Sequence, residues 1–383
     1  MSTSVYSERK KKKRGVISVV LILVFLAITA YIIISIASGS DSLGFTNLFS
    51  PQSVSLQDGE YNFNVGRNRV FADLSGSLAA AGTLGIQVLD ASSDEALRES
   101  FRMENPAISA QNGRAVAYDI GGTDIRVFTG TEIVSSIEAN GRIVSATINP
   151  NGWIAVATQV DGGYRGVVTV YNDRGRDVFR VFLVEEGHVL TAVLSSDNRT
   201  LSILTLRETG SVISRWETGR ASEAPQSYVE LPDELVIDIS HLPNGSLLAV
   251  STESLHIIDR NSSSREIFNF SGRRLGRYAK DGGHITLHLL DYGVGNSGQL
   301  ITLRENGSVI GELETNREIL SMSANDGYLA VLWNDGLMFY NSQFNEFPAA
   351  ENAFSIAGIN RVIAINGAAL AAGDYSAVVL SRG

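Results

Sequence analysis

Two histidines four residues apart, His284 and His288 in the run HITLHLL, are the closest pair of potential metal ligands of this type in the sequence. The run is rich in apolar and β-branched residues, which favour a strand. Side chains four residues apart on a strand share a face but lie about 13 Å apart, whereas zinc ligands lie about 2 Å from the ion. We therefore predict that the two histidines lie at the surface or pack between blades and do not share a metal ion.

Acidic turns are the other residues that could bind a cation, and they are Asn172-Asp173, Asp259-Arg260 and Asn325-Asp326. None has the Asp-x-Asp-x-Asp-Gly spacing of a strong calcium loop. Asp and Asn in turns commonly accept hydrogen bonds from the turn backbone. We predict that role for them, and we expect neither a metal ion nor a cofactor.

Catalytic motifs are missing from the sequence. The segment from Ser323 to Trp333 approaches a sialidase box without matching it, and there is no Gly-x-Ser-x-Gly nucleophile elbow. The absence of cysteine excludes a thiol nucleophile, thiolate metal sites and disulfides. We name no catalytic residue.

Arg273, Arg274 and Arg277 form the densest basic group beyond residue 14. Arginine suits bidentate contacts with carboxylates. The group is interpreted either as an ordinary loop between repeats or as a contact for a carboxylate or another anion.

The elements that must position these residues belong to a repeat. A tight turn recurs about every 42 residues between short runs of β-branched and aromatic residues, the length of a four-stranded propeller blade. Its central residue is Gly76, Gly113, Gly152, Asn198, Gly245, Gly283, Gly327 and Gly367. A second turn follows the third run of most repeats, as in VYNDRG and IIDRNS. Such turns need positive φ and indicate hairpins.

We therefore predict an all-β protein, a β-propeller of about eight four-stranded blades. Seven blades would result if the stretch from Ala221 to Pro232 conceals a misread repeat. The last repeat supplies only three strands before Gly383, which leaves an open edge. We predict that Ser53 to Val65, a strand-like segment outside any repeat, supplies the fourth strand and closes the ring.

An uncharged stretch runs from Gly15 to Ala37, directly after a cluster of six bases. As a helix its 23 residues would span roughly 34 Å and cross a bilayer core of about 30 Å. The positive-inside rule then predicts a cytoplasmic stub at residues 1–14, an anchor at 15–37 in the cytoplasmic membrane, a linker at 38–52 and an extracytoplasmic propeller at 53–383. A cleaved signal peptide is the alternative, but its apolar core would have only about 7–15 residues.

Charge excludes one class of partner. Removing six bases and one acid of the stub from totals of 31 and 41 leaves 25 bases and 40 acids, a net charge of −15. Such a surface is unsuited to phosphate backbones, so we expect no nucleic acid. The only lysine beyond the stub is Lys280.

The strings PNGSLLAV and NDGYLAVL resemble inner hairpins of WD40-like propellers, and VLDASSDEAL resembles the turn between third and fourth strands of quinoprotein-like repeats. Together with the basic stub and the anchor, the whole chain resembles an uncharacterised family of membrane-anchored propeller proteins of Gram-positive bacteria. The resemblance implies fold and location, with no activity to transfer. Quinoprotein enzymes commonly use a vicinal disulfide, which cannot form here.

We expect the propeller to act as a scaffold of the cell envelope that binds a protein or a small ligand. The alternative is an anchored hydrolase or lyase acting on envelope glycan or peptide. Such an enzyme would carry carboxylates that converge on arginines in the funnel, with a perturbed pKa on one of them.

Overall fold

The computed structural model describes residues 56–184, 187–220, 224–293, 295–349, 358–374 and 377–382. These residues form eight antiparallel sheets of four strands, which confirms the prediction of eight blades. The predicted stub, anchor and linker, at 1–14, 15–37 and 38–52, lie outside the described residues. Within the described residues, no helix is both long enough and apolar enough to cross a membrane.

The blades follow one another along the chain, and the first strand of each is its inner strand. Blades 1 to 4 comprise β2 (Val70–Asp73), β3 (Leu78–Gly82), β4 (Gly85–Leu89), β5 (Glu95–Ser100); β6 (Pro106–Gln111), β7 (Arg114–Asp119), β8 (Asp124–Thr129), β9 (Ile133–Glu138); β10 (Arg142–Ile148), β11 (Ile154–Gln159), β12 (Gly166–Tyr171), β13 (Asp177–Leu183); and β14 (His188–Leu194), β15 (Thr200–Arg207), β16 (Gly210–Glu217), β17 (Ser227–Pro232).

Blades 5 to 8 have the same order, except that the last blade takes its outer strand from the start of the chain. They comprise β18 (Val236–His241), β19 (Leu247–Ser251), β20 (Ser254–Ile258), β21 (Ser264–Asn269); β22 (Arg274–Asp281), β23 (His284–Leu290), β24 (Gly298–Arg304), β25 (Val309–Thr315); β26 (Ile319–Asn325), β27 (Tyr328–Trp333), β28 (Gly336–Asn341), β29 (Glu346–Pro348); and β30 (Ile359–Ile365), β31 (Ala368–Gly373), β32 (Ala377–Ser381), β1 (Gly59–Glu60).

The core consists of eight hydrophobic clusters, one between each pair of consecutive blades. Blades 8 and 1 share such a cluster, and their inner strands are in contact, so the sheets form a closed ring. Each blade buries both faces against its neighbours, because one antiparallel sheet alone cannot cover its apolar surface.

The recurring turn lies between the first and second strand of every blade, as predicted. All eight central residues have positive φ, including Asn198 at 62°. Asparagine tolerates this conformation better than most residues, which explains its place in a glycine position.

The second turn is held by side-chain hydrogen bonds. In four blades an Asp or Asn accepts backbone N–H groups two and four residues further along, at 2.8–3.0 Å; these residues are Asp90, Asn172, Asp259 and Asn341. The predicted role of Asn172 and Asp259 is thereby confirmed. Asn325-Asp326 differs, because Asp326 instead adopts positive φ in the inner turn of blade 7.

Consecutive antiparallel strands run in opposite directions, so the ring has two distinct faces. The turn between the first and second strands of every blade, and the turn between the third and fourth strands of blades 1 to 7, lie on one of them, the repeat-turn face. The turn between second and third strands and the link to the next blade lie on the other, the connection face. The inner strands begin at the connection face.

The N-terminal segment closes the ring as predicted, although its strand is shorter than the predicted 53–65. Among its described residues, which begin at Leu56, only Gly59 and Glu60 form strand pairs with β32. Asp58 accepts hydrogen bonds from the backbone N–H and hydroxyl of Ser381, at 2.8 and 2.5 Å. The Tyr61 hydroxyl donates to the carbonyl of Ala91 in blade 1 at 3.0 Å, so the segment joins blade 8 to blade 1.

Candidate functional site

The inner strands of blades 3 to 8 share a feature that the sequence analysis missed, a register shift near the strand start. Such bulges redirect side chains. The residue after the shift is polar in all six blades: Ser145, Thr191, Asp238, Arg277, Ser321 and Arg361. The sequence contains a pattern that could have indicated this bulge, because each of these polar residues follows two less polar residues at the start of a predicted inner strand.

These polar residues connect neighbouring blades. Ser145 donates its hydroxyl hydrogen to the Thr191 hydroxyl at 3.3 Å, and the Ser321 hydroxyl accepts the backbone N–H of Val362 at 3.1 Å. Asp238 forms an ion pair with Lys280 of the next blade. Burial, and then the Asp238 carboxylate, raise the pKa of Tyr278 above its usual range. The inner ring is therefore fixed by side-chain contacts between blades.

A cavity of about 460 Å³ opens among the inner strands of blades 5, 6 and 7. We call it the blade 6 cavity, and its lining residues are Ile237, Thr252, Arg274, Leu275, Gly276, Arg277, Tyr278, Ser321 and Met322. At the bulged position the other shifted blades carry Val144, Leu190, Ile237, Leu320 and Asn360, whereas blade 6 carries Gly276. The absent side chain of Gly276 contributes to the opening.

The structure divides the arginine cluster found in the sequence. Arg273 points away from the cavity and donates to the Gln299 side chain at 2.7 Å and to the Phe270 carbonyl at 3.3 Å. Arg274 and Arg277 line the cavity. Arg277 donates from Nε to the carbonyl of Ile319 at 3.0 Å, which fixes its guanidinium. Neither cavity arginine forms an ion pair with a described carboxylate.

His288 lies behind Gly276 and is 3% exposed. Both of its ring nitrogens lack a hydrogen-bond partner among the described residues. Burial, and then the charges of Arg277 and Arg274, lower the pKa of His288 to about 4. The ring is thus neutral at pH 7. His284 is exposed at the other end of the same strand, β23. The predicted strand is therefore confirmed, with His288 packed between blades and His284 at the surface.

A second cavity of about 230 Å³ lies on the connection face between blades 8 and 1. Arg67, Arg69 and Arg361 line it together with Asp374. Arg69 donates to the Gly66 carbonyl at 3.0 Å, and Arg361 donates to the Arg69 carbonyl. Arginines are therefore concentrated at two places on one face of an acidic domain.

Exposed apolar side chains concentrate on the same face. Of the eleven large hydrophobic residues exposed in the described chain, eight lie in turns, links or strand ends of the connection face: Leu84, Ile120, Tyr164, Phe182, Val184, Leu235, Ile237 and Tyr292. The other three, Val178, Tyr228 and Val309, lie at the opposite ends of outer strands. The exposed apolar residues of the described chain are thus distributed unevenly between the two faces.

A second polar cluster brings together Glu234, His256 and Glu266, which sequence reasoning did not connect. These groups could supply ligand atoms to a cation, but internal hydrogen bonds already account for them. The Glu234 carboxylate accepts from Ser251 at 2.6 Å and from Ser254 at 2.8 Å, and it lies 3.0 Å from His256 Nε2.

This cluster does not form a catalytic triad. In such a triad the serine and the carboxylate contact opposite nitrogens of the histidine. Here Ser254 Oγ and the Glu234 carboxylate both contact Nε2 of His256, at 2.7 and 3.0 Å. The arrangement therefore joins the link between blades 4 and 5 to the sheet of blade 5.

Replacing Glu234 with alanine is expected to lower the free energy of unfolding by about 3 kcal/mol, because three buried or half-buried partners lose their acceptor. The matched control is Glu266→Ala, which removes an exposed carboxylate and should change it by less than about 0.5 kcal/mol. Urea unfolding of both variants measures the difference. Equal losses would show that the hydrogen bonds to Glu234 contribute no special stability.

A closed ring of eight four-stranded antiparallel sheets around a channel is a β-propeller. The chain belongs to DUF5711, a family of unknown function, which it matches over residues 59–346. This confirms the predicted membership in an uncharacterised family. No curated protein matches the sequence.

Solved structures confirm the fold. The chain is similar to BamB from Moraxella catarrhalis, with 16% identity, a TM-score of 0.54 and coverage of 85% of this chain and 97% of BamB. It is also similar to a computationally designed protein, at 10% identity, a TM-score of 0.57 and coverage of 86% and 99%. Hydrazine synthase from Kuenenia stuttgartiensis matches at 10% identity, a TM-score of 0.50 and coverage of 78% and 99%. Identities this low show the fold alone.

Proposed function

We propose that this protein is a binding scaffold of the cell envelope, anchored in the cytoplasmic membrane by residues 15–37 with its propeller on the extracytoplasmic side. The propeller holds a partner protein or a small ligand on its connection face. The uncharged stretch of 23 residues after six bases supports the anchor and its orientation. The rigid ring supports the scaffold role, because it presents the loops of eight blades on one face.

The observation that carries this proposal is the composition of the connection face. It holds eight of the eleven exposed large hydrophobic residues of the described chain, two tyrosines among them. Both described cavities that are lined by two or more arginines also open there. Aromatic residues and arginine are enriched in protein interfaces relative to the rest of the surface.

A hydrolase or lyase is less well supported by the same geometry. Such an enzyme needs carboxylates that converge on the arginines of its site. None of the nine described residues lining the blade 6 cavity is a carboxylate, and the nine that line the cavity between blades 8 and 1 include a single one, Asp374. The cavity thus offers charge and apolar surface for binding, without the pair of acid and base groups for hydrolysis.

Cross-linking in native membranes, followed by purification and mass spectrometry, tests the proposal. We expect the full chain to capture a specific partner that residues 1–52 alone do not capture. Tyr292→Ser, which removes a tyrosine that is 75% exposed on the connection face, should reduce capture severalfold. Tyr228→Ser is the matched control, because Tyr228 is 60% exposed at the other end of an outer strand.

Capture by residues 1–52 alone would contradict the scaffold role of the propeller. Equal loss of capture in Tyr292→Ser and Tyr228→Ser would contradict the role of the connection face. If the protein is stable and abundant but captures no specific partner, the propeller binds a small ligand rather than a protein.

A further inference from the structure

We infer that the blade 6 cavity binds an organic carboxylate that carries an apolar group, through Arg274 and Arg277. The carboxylate belongs either to a free small acid or to the carboxyl terminus of a peptide. This inference rests on the proposed binding function and names the chemistry of its ligand.

The cavity arginines lack carboxylate partners in an acidic domain. Beyond the stub the chain has 40 acids and 25 bases. Among the described residues, Arg98, Arg126, Arg180, Arg207 and Arg317 each form an ion pair with an acid. The Arg274 side chain forms no hydrogen bond with any described residue, and the Arg277 side chain uses only Nε. Both arginines line a cavity whose described lining residues include no acid, so their remaining N–H donors are available to a ligand.

The guanidinium of Arg277 is already oriented by a hydrogen bond to the next blade. Its Nε donates to the Ile319 carbonyl of the next blade at 3.0 Å, and the bulge places it on the cavity wall. A guanidinium held by one nitrogen keeps its terminal N–H groups for an oxygen ligand. Pre-orientation lowers the entropy cost of binding.

Gly276 leaves the cavity wall open at the bulge. The other five blades with a register shift carry Val144, Leu190, Ile237, Leu320 or Asn360 at this position, whereas blade 6 has no side chain there. Gly276 is exposed and lines the cavity. A Cβ atom added to Gly276 would lie 2.9 Å from Nδ1 of the buried His288, so the imidazole packs directly behind this wall.

The apolar part of the cavity lining indicates what the rest of the ligand is like. Ile237, Leu275 and Met322 line the cavity, and Ile237 is 44% exposed there. These side chains lie beside the arginines, so they would contact a group next to the carboxylate and favour an apolar one. The volume of about 460 Å³ falls within the usual range of ligand pockets, roughly 300–1,000 Å³.

Calorimetric titration of the full-length protein in detergent tests the inference with defined probes. N-acetyl-leucine and N-acetyl-leucinamide differ only in carboxylate against amide, and we expect the acid to bind at least tenfold more tightly. A tripeptide ending in leucine, as acid and as amide, distinguishes the sources. Tighter binding of the peptide acid than of N-acetyl-leucine indicates a peptide terminus, and equal binding indicates a small acid.

Variants locate the site. Arg274→Gln and Arg277→Gln should each weaken binding of the acid roughly ten- to a hundredfold, as expected for lost charged hydrogen bonds. Arg273→Gln is the matched control, because the neighbouring Arg273 contacts Gln299 outside the cavity, and it should bind normally. Gly276→Leu gives blade 6 an apolar residue like Leu320 of blade 7 and should abolish binding. Tryptophan fluorescence confirms that each variant is folded.

Equal affinity for the acid and the amide would overturn the inference. So would the absence of binding of any probe at about 10 mM, a concentration at which even a weak ligand binds measurably. If inorganic phosphate displaces the acid at equal concentration, the cavity is a general anion site and the inferred preference for a carboxylate is wrong. An equal loss of affinity for the acid in Arg273→Gln would show that the acid binds outside the blade 6 cavity. The scaffold proposal is judged separately, because partner capture in membranes does not depend on these probes.

Discussion

Replacing Tyr61 with alanine is expected to lower the free energy of unfolding by about 4 kcal/mol, a typical loss for a large buried aromatic residue. Tyr61 is 1% exposed and packs in the cluster shared by blades 8 and 1. Its backbone N–H donates to the Ala377 carbonyl at 2.8 Å, and its hydroxyl donates to Ala91 at 3.0 Å. The substitution thus weakens the only junction at which distant parts of the sequence must meet to close the ring.

Tyr61→Phe is the matched control, since it keeps the ring and removes only the hydroxyl. It should cost about 1 kcal/mol, the usual net value of one hydrogen bond. Urea unfolding followed by tryptophan fluorescence measures both variants, because Trp216 and Trp333 are buried in the propeller. Hydrogen exchange should rise first in blades 8 and 1. Uniform exchange around the ring, or equal losses in the two variants, would contradict the closing role of this side chain.

The fold could be predicted because its strongest signal is local. A turn that needs positive φ favours glycine or asparagine at its own position, largely independently of the rest of the chain. The eight turns from Gly76 to Gly367 therefore indicated the repeat length, and the repeat length indicated a four-stranded blade. The closing segment was also predictable, because three strands at the end of the chain left one edge without a partner.

The extent of the closing strand was not predictable in the same way. The segment from Ser53 to Val65 has a strand-like composition, yet only Gly59 and Glu60 of its described part, 56–65, form strand pairs with the neighbouring strand. The side chains of Tyr61, Phe63 and Val65 instead turn into the core between blades 8 and 1. Packing across the junction overrides the local preference, and a single sequence contains no record of that contact.

The candidate site needed the structure because it depends on register between blades. Arg273, Arg274 and Arg277 look equivalent in the sequence, but the bulge near Gly276 separates them. One arginine contacts Gln299, and the other two line the cavity. Glu234 and His256 are 22 residues apart and belong to a link and a strand, so no spacing rule connects them.

Acidification from pH 7 to pH 5 is expected to destabilise the propeller through His288 and His241. Burial is the main cause that lowers the pKa of both histidines to about 4. The charges of Arg277 and Arg274 lower the pKa of His288 further. The charge of Arg215 lowers the pKa of His241, and that of Asp197 acts in the opposite direction. In the unfolded chain histidine titrates near its ordinary pKa of about 6.5. Below that pH the unfolded state binds protons that the folded state does not, so the free energy of unfolding falls until about pH 4.

Each histidine should remove on the order of 2 kcal/mol between pH 6.5 and pH 5. Urea unfolding at pH 7 and pH 5 measures this loss for the wild type, His288→Gln and His241→Gln, and each variant should lose less than the wild type. His284→Gln is the matched control, because His284 is exposed on the same strand as His288, and it should behave like the wild type. An unchanged pH dependence in His288→Gln would mean that the imidazole can take up a proton in the folded state.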